Sequence, residues 1–308
     1  MKEAAALPAD MTVLERGWLS SNSVLLQGDE RGALLVDTGY CTHSAQTLEL
    51  VKAAIAPGSS LRLILNSHLH SDHCGGNARL AAAFNCPIWV PPGHFHAATD
   101  WNQDLLSFAS TGQRCDRFRP SAAVIAGDFI GQGGRQWQAL AAPGHDPHSL
   151  IFFEAESGVL ISADALWEHG FGIVFPEIEG SSGFDEVAKT LDLIAGLAIR
   201  WVIPGHGKIF SDVDAALGEA RSRLDFFQRN PQRHARYAAK VLTKFHLLEL
   251  ISEPLPDLLD WLAQTPIQRQ MWEQFFKPEP FEQWSIAILD ELEKSRAIRI
   301  HEGVVYNA

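Results

Sequence analysis

Residues 67–76 read Ser67-His68-Leu69-His70-Ser71-Asp72-His73-Cys74-Gly75-Gly76. Three imidazoles and one carboxylate fall within six residues, directly after Leu61–Leu65, an apolar run of strand length. Imidazole nitrogen and carboxylate oxygen are ligands that suit zinc, iron and manganese. The spacing is too tight for one tetrahedral ion to use all four side chains. In a turning chain, neighbouring ligands diverge, so His68 and His70 can face one ion while Asp72 and His73 face another. The two glycines permit the sharp chain reversal that such crowding needs.

The first two-thirds of the chain reads as short strands alternating with helices. Strands are expected at Ser23–Gln27, Ala33–Asp37, Leu61–Leu65, Pro87–Val90, Trp137–Ala141, Leu150–Glu154, Val159–Ser162 and Trp201–Ile203. The first two form a hairpin across Gly28-Asp29-Glu30-Arg31-Gly32. Helical spacing covers Ala45–Ile55 and Phe184–Leu197, and residues 91–120 read as a long loop with helical pieces. Three further ligand types stand where such strands give way to loops: His145 in Pro143-Gly144-His145-Asp146, Asp164 after Ile161-Ser162-Ala163, and His206 in Pro204-Gly205-His206-Gly207. Loops fixed by a rigid sheet are where metal and catalytic groups are usually held. Read singly, each is an ordinary polar residue; they become ligands as a set.

That ordered set, HxHxDH followed by His, Asp and His, resembles the metallo-β-lactamase-fold hydrolase superfamily over about residues 10–210. The resemblance implies an α/β fold, a four-layer αββα sandwich with metals at one edge. It implies one ion held by His68, His70 and His145, a second by Asp72, His73 and His206, and Asp164 bridging them. Asp37, at the end of Leu34-Leu35-Val36-Asp37, matches the family's aspartate that orients a ligand imidazole; alternatively, it caps a turn before Thr38-Gly39. Two divalent ions are therefore expected, zinc by default, with iron and manganese accepted by the same donors. A shared water made acidic by both ions supplies the hydroxide nucleophile. Asp72 and Asp164 are the expected catalytic carboxylates, with Asp72 expected to orient that water or shuttle its proton. No GxSxG elbow or P-loop offers a rival mechanism.

Asp164 with His73 resembles the glyoxalase-II-like thioesterases and the lactonases, so the expected substrate is a thioester, a lactone or a related carboxylic ester. The alternative is a phosphodiesterase or ribonuclease of the same superfamily. Trp167, Phe171 and Phe175 closely follow Asp164 and are read as an apolar substrate wall, or else as core. His148 either hydrogen-bonds locally or faces substrate; His94, His96 and His169 read as loop residues. Cys74 reads as a small buried residue.

Past residue 210 the strand signal fades. Asp212–Phe227, Pro231–Leu250, Leu255–Ala263, Ile267–Phe276 and Phe281–Lys294 read as helices, followed by strands at Ala297–Ile300 and Val304–Tyr306 about a turn at Gly303. The expected division is a catalytic domain over 1–215 and a helical, winged-helix-like domain over 216–308. Charge changes at the same place. Residues 1–220 hold 13 basic and 25 acidic side chains, and 221–308 hold 12 of each. The net charge of −12 speaks against a uniformly basic nucleic-acid binder. The cationic run 221–240 is most simply a solvated helix face. Four cysteines without a CxxC pair speak against a cysteine zinc site and a disulfide scaffold. No apolar run approaches the ~18 residues of a membrane span, and the N-terminal MKEAAALPADM does not read as a signal peptide. A small-molecule substrate, no nucleic acid, no membrane and a cytoplasmic location are expected, with homodimerisation left open.

Overall fold

A computed structural model describes residues 7–28 and 31–308. The expected hairpin turn falls partly on Asp29 and Glu30, and the leader reading largely on residues 1–6, outside the described residues.

Six strands form the first sheet in chain order: β1 (Met11–Leu14), β2 (Ser23–Leu26), β3 (Ala33–Val36), β4 (Leu61–Leu65), β5 (Ile88–Val90) and β6 (Ala122–Ala123). Five form the second, in the order β11-β10-β9-β8-β7: β7 (Phe129–Gln132), β8 (Arg135–Ala141), β9 (Leu150–Glu154), β10 (Val159–Ala163) and β11 (Trp201–Pro204). Helices α1 (Ser44–Ala54), α2 (Ser71–Cys74), α3 (Asn77–Phe84), α4 (Pro92–Asp100) and α5 (Phe108–Thr111) follow the strands of the first sheet. Helices α6 (Phe175–Ile178), α7 (Gly183–Ala195) and α8 (Val213–Arg229) flank β11 in sequence.

Alternation along these strands builds the layers. Val24, Leu26, Leu34, Val36, Leu63 and Leu65 point to one side and meet Trp137, Ala139, Phe152, Val159 and Ile161 of the second sheet. Leu25, Leu35 and Ile64 point to the other and pack with Val51 of α1 and Leu80 of α3. In the second sheet Ile151, Phe153, Leu160 and Val202 turn outward onto Phe184, Leu191 and Ile194 of α7 and Leu217 and Leu224 of α8. The result is helix, sheet, sheet, helix. Central strands buried on both faces explain why β2, β3, β9 and β10 read as unbroken apolar runs.

The C-terminal part holds α9 (Pro231–Leu250), β12 (Ser252–Pro254), α10 (Leu255–Gln264), α11 (Pro266–Phe275), α12 (Phe281–Lys294), β13 (Ile298–His301) and β14 (Val304–Asn307), the strands pairing in the order β12-β14-β13. Its core joins Ala238, Leu242, Leu258, Met271, Trp284 and Ile288 with Ile173, Phe175 and Ile178 of the preceding layers. Helix α8 lies in the α7 core instead. The expected boundary at 215–216 falls within the first turn of α8, and the buried core residues pass from one cluster to the other at Asn230-Pro231, where α8 ends and α9 begins. Among the described residues, no helix is long and apolar enough to cross a membrane.

Candidate metal centre

Strand direction brings the polar residues to one edge. β3 runs parallel to β4, and β10 parallel to β11. β8 and β10 are both antiparallel to β9 and so run the same way. Asp37 follows β3, the His68–His73 segment follows β4, His145 follows β8, Asp164 follows β10, and His206 follows β11. Five loops therefore deliver their side chains to the same end of the sandwich.

Two clusters result, each with its ligand-type atoms within 4.8 Å of one another. One is His68, His70 and His145; the other is Asp72, His73, Asp164 and His206. Asp164 lies between them. Its Oδ1 is 3.4 Å from His73 Nε2, while its Oδ2 is 3.4 Å from His145 Nε2 and 3.9 Å from His206 Nε2. Asp72 Oδ2 is 3.0 Å from His206 Nε2 and 3.9 Å from His73 Nε2.

The surrounding bonds fix which imidazole nitrogen faces inward. Asp37 accepts from the Ser67 backbone N–H through Oδ1 (2.9 Å) and from the Ser67 hydroxyl through Oδ2 (2.7 Å). His73 Nδ1 lies 2.7 Å from that same Oδ2, which leaves His73 Nε2 aimed at Asp164. That Nε2 is fully buried with no hydrogen-bond partner. Asp37 itself stands at φ +57°, and Ala163, just before Asp164, at φ +46°; strained non-glycine backbone of this kind concentrates at functional sites. His145 Nδ1–H donates to the Ile173 carbonyl at 2.5 Å, turning Nε2 inward. The N–H of the same peptide link, on Val174, donates to His234 Nε2 of α9 at 3.1 Å. The Ile173-Val174 peptide is thus held between a cluster imidazole and the C-terminal helices.

Electrostatics divides the clusters. Burial, reinforced by the neighbouring imidazoles, pushes His68 well below the ordinary histidine range; burial and His145 push His70 down to about 3. Both are neutral donors at physiological pH. Burial also opposes the charge on His73, but the carboxylates of Asp164, Asp37 and Asp72 outweigh it and hold that imidazole well above its ordinary value. Burial alone would raise Asp164, yet His73, His206 and His145 hold it well below the carboxylate range. Asp72 is lowered for the same reason, by His73 and His206 against burial.

The donor set fits divalent cations. His70 Nδ1 lies 2.7 Å from His145 Nε2 and 3.1 Å from His68 Nε2. His145 donates to Ile173 from Nδ1, so its Nε2 is the nitrogen turned toward His70. Three converging imidazole nitrogens need a proton or a cation among them. In the second cluster two buried carboxylates converge with the orphaned His73 Nε2, again a cation's complement. Space is tight behind it: a Cβ at Gly205 would sit 2.2 Å from Asp164 Oδ1 and 2.9 Å from His73 Cε1.

The clusters open into a cavity of about 570 Å³. Of the aromatic residues expected at its wall, Trp167 lines it and donates from Nε1 to Asp164 Oδ1 at 3.2 Å. Phe175 lines it too, edge-on to His70 at 4.9 Å between ring centroids. Phe171 does not. It is buried in the α7–α8 core with Arg223 5.8 Å from its ring. His148 also stands apart from the cavity, packed edge-on to His94 at 4.7 Å. Trp18, which sequence reasoning missed, stacks on His206 with rings 5.2 Å apart and 6° from parallel. Asp146, next to His145, was likewise missed. It is buried with Oδ2 3.8 Å from His70 Nε2 and 3.6 Å from His94 Nε2. Its adjacency to His145 was the only signal.

The sequence model of a family described as the metallo-beta-lactamase superfamily matches residues 16–206. A hydroxyacylglutathione hydrolase of Rhodospirillum rubrum is 29% identical over 148 residues, covering 47% of this chain and 49% of the relative. A hydroxyacylglutathione hydrolase of a Synechococcus strain is 26% identical over 187 residues, covering 60% and 62%. The chain thus spans about half, or somewhat more, of the length of these curated relatives. Among solved structures, a metallo-beta-lactamase family protein from Thermus thermophilus aligns over 98% of this chain and 100% of its own, with a TM-score of 0.57 and 21% identity; that likeness speaks for the fold.

Proposed function

The chain belongs to the metallo-beta-lactamase superfamily, and from that premise we propose that it is a dinuclear metal-dependent hydrolase acting on a thioester, a lactone or a related carboxylic ester. The observation that carries this reading is the convergence of seven ligand-type side chains in two clusters, with Asp164 within 3.4 Å of both His73 and His145 and with five of the seven lining one cavity. His68, His70 and His145 would hold one ion, and Asp72, His73 and His206 the other, with Asp164 between. Zinc is the proposed metal, and the same nitrogen and oxygen donors accept iron or manganese.

Divalent ions at these positions would polarise a substrate carbonyl and make water acidic enough to attack near neutral pH. The chain's own residues do the rest. Asp37 fixes the tautomer of His73, and the Ile173 carbonyl fixes that of His145. Asp72 Oδ2, at the cavity edge beside His206, is placed to take up the proton released as water attacks and to return it to the leaving group. Trp18, Trp167 and Phe175 cover the clusters and limit the access of bulk water. The hydroxyacylglutathione hydrolases among the relatives support a thioester substrate.

The test is elemental analysis paired with turnover on one sample. The panel holds S-lactoylglutathione, an acyl-homoserine lactone, a β-lactam, a phosphodiester and a short RNA. About two metals per chain with thioester or lactone turnover is expected. Full turnover by protein verified to lack metal would sink the proposal, and cleavage of the phosphodiester or RNA alone would replace its substrate class.

A further inference from the structure

Helix α9 carries an apolar stripe that faces the cavity. Tyr237, Val241, Phe245 and Leu248 follow one another at spacings of four, four and three, and all four line it. That spacing keeps them on one helix face. The stripe runs about 16 Å at ~1.5 Å per residue. Leu106 and Phe108 also line the cavity, from the segment leading into α5. The same cavity reaches His70, Asp72, His145, Asp164 and His206. One continuous space therefore joins the polar clusters to an apolar channel of a volume that holds a small-molecule ligand.

The lysines of this wall do not present free ammonium groups to it. Lys240 Nζ is 3.0 Å from Glu291 Oε2 on α12. Lys244 Nζ donates to the Ala297 carbonyl, to Asn307 Oδ1 and to the Ala308 carbonyl. Their ammonium ends are drawn toward α12 and the β13–β14 hairpin, and their methylene stems remain along the channel. A ligand portion bearing several charges would be desolvated against this wall without new partners. An aliphatic chain would lose nothing and would bury apolar surface.

We propose that this channel binds the acyl side of the substrate, and that the acyl group is a neutral, unbranched aliphatic chain lying along the Tyr237–Leu248 face of α9. The inference rests on the ester-hydrolase reading and narrows its substrate class. It makes the C-terminal helices the chain-length gauge of the enzyme.

The experiment uses zinc-loaded full-length protein and straight-chain thioesters of one small thiol, N-acetylcysteamine, with acyl groups of two to twelve carbons. kcat/KM should rise about fourfold per methylene and level off once the channel is full. Val241→Trp should cut the long-chain to short-chain ratio of kcat/KM at least tenfold and move the plateau to shorter chains. Leu248→Trp, at another point of the stripe, should do the same if the first variant fails to fold. A flat series, or an unchanged ratio in a folded variant, overturns the inference while leaving the hydrolase reading intact. Binding of undecan-2-one, an uncleavable apolar ketone, is followed by the fluorescence of Trp18 and Trp167. Ketone binding that the variants weaken, with neither thioester nor lactone nor other carboxylic ester cleaved, would overturn the hydrolase reading and support the channel. Neither binding nor turnover would overturn both.

Discussion

At the residue scale, the site depends on supports behind the ligand atoms. Asp37 receives three contacts, from the Ser67 N–H, the Ser67 hydroxyl and His73 Nδ1. Asp37→Asn removes the carboxylate that fixes His73. Metal affinity at the Asp72, His73 and His206 group should fall about tenfold to a hundredfold while the three-histidine group keeps its ion; competition with a chromogenic chelator reads both steps. Asp164→Ala or His145→Ala should remove metal and activity together, seen as a loss of bound metal after dialysis and of turnover in the same sample. Gly205→Ala places a methyl where Asp164 Oδ1 and His73 stand, so it should lower metal content without touching a ligand; full metal content by elemental analysis would contradict this. The ligand residue types were legible as an ordered set, HxHxDH followed by His, Asp and His at strand ends, since each read singly is an ordinary polar residue. Trp18 and Asp146 were not, since a tryptophan 55% exposed or a carboxylate beside one histidine has no pattern of its own.

At the element scale, the strands of the double core announced themselves. β2, β3, β9 and β10 are buried along their whole length and read as apolar runs, and β4 is interrupted only by Arg62. The strands that sequence reasoning missed lie at margins. β1, β6 and β7 close the edges of their sheets, with Gly131 inside β7 and Phe129 exposed, and β12 is three residues ending in proline. Short, partly solvated strands carry too little periodicity to detect. Equally hidden was the contact from α9 to the Ile173-Val174 peptide, because one histidine in a helix gives no hint of a backbone donor 60 residues away. Burial, with Arg223 nearby, lowers His234 to about 4. It is therefore neutral in the folded protein, with Nε2 free to accept. The unfolded chain takes up the proton first, near pH 6.5. This contribution is thus complete above about pH 6.5 and is lost as the pH falls toward 4. Between pH 7 and pH 4, wild type should lose on the order of 3 kcal/mol more than His234→Gln, read by urea unfolding at each pH. His234→Ala should also weaken metal binding at the three-histidine group, with Gln restoring it. Equal metal affinity in all three proteins would mean that the Ile173-Val174 peptide holds His145 without α9.

At the scale of the whole molecule, sequence charge and folded charge tell different stories. The cationic run 221–240 is the densest patch of positive charge in the sequence, and it reads most simply as a solvated helix face. Folding distributes it over local partners. Arg221 pairs with Asp192, Arg229 with Asp225, and Arg236 and Lys240 both with Glu291. Arg223 lies over Tyr237 at 4.5 Å and donates to the His169 carbonyl. The run is also split between α8, which packs on α7, and α9, which walls the cavity. The division between two helices was legible, since Asp212–Phe227 and Pro231–Leu250 read as separate helices, whereas the change of core at Asn230-Pro231 depends on which apolar faces meet. With a net charge of −12 added, single-stranded RNA should bind weakly and without a steep ionic dependence. A protein neutralising several phosphates of a single strand shows log K falling against log salt with a slope of about −0.7 per phosphate. Here the slope between 50 and 200 mM salt, measured by fluorescence anisotropy of a labelled RNA, should stay shallower than about −1. Turnover of a neutral thioester should hardly change over the same range, because burial of an apolar chain is not screened by ions. A slope of about −3 or steeper would mean that four or more cations leave these partners to meet phosphate, and the paired run would then have to be read as a binding surface.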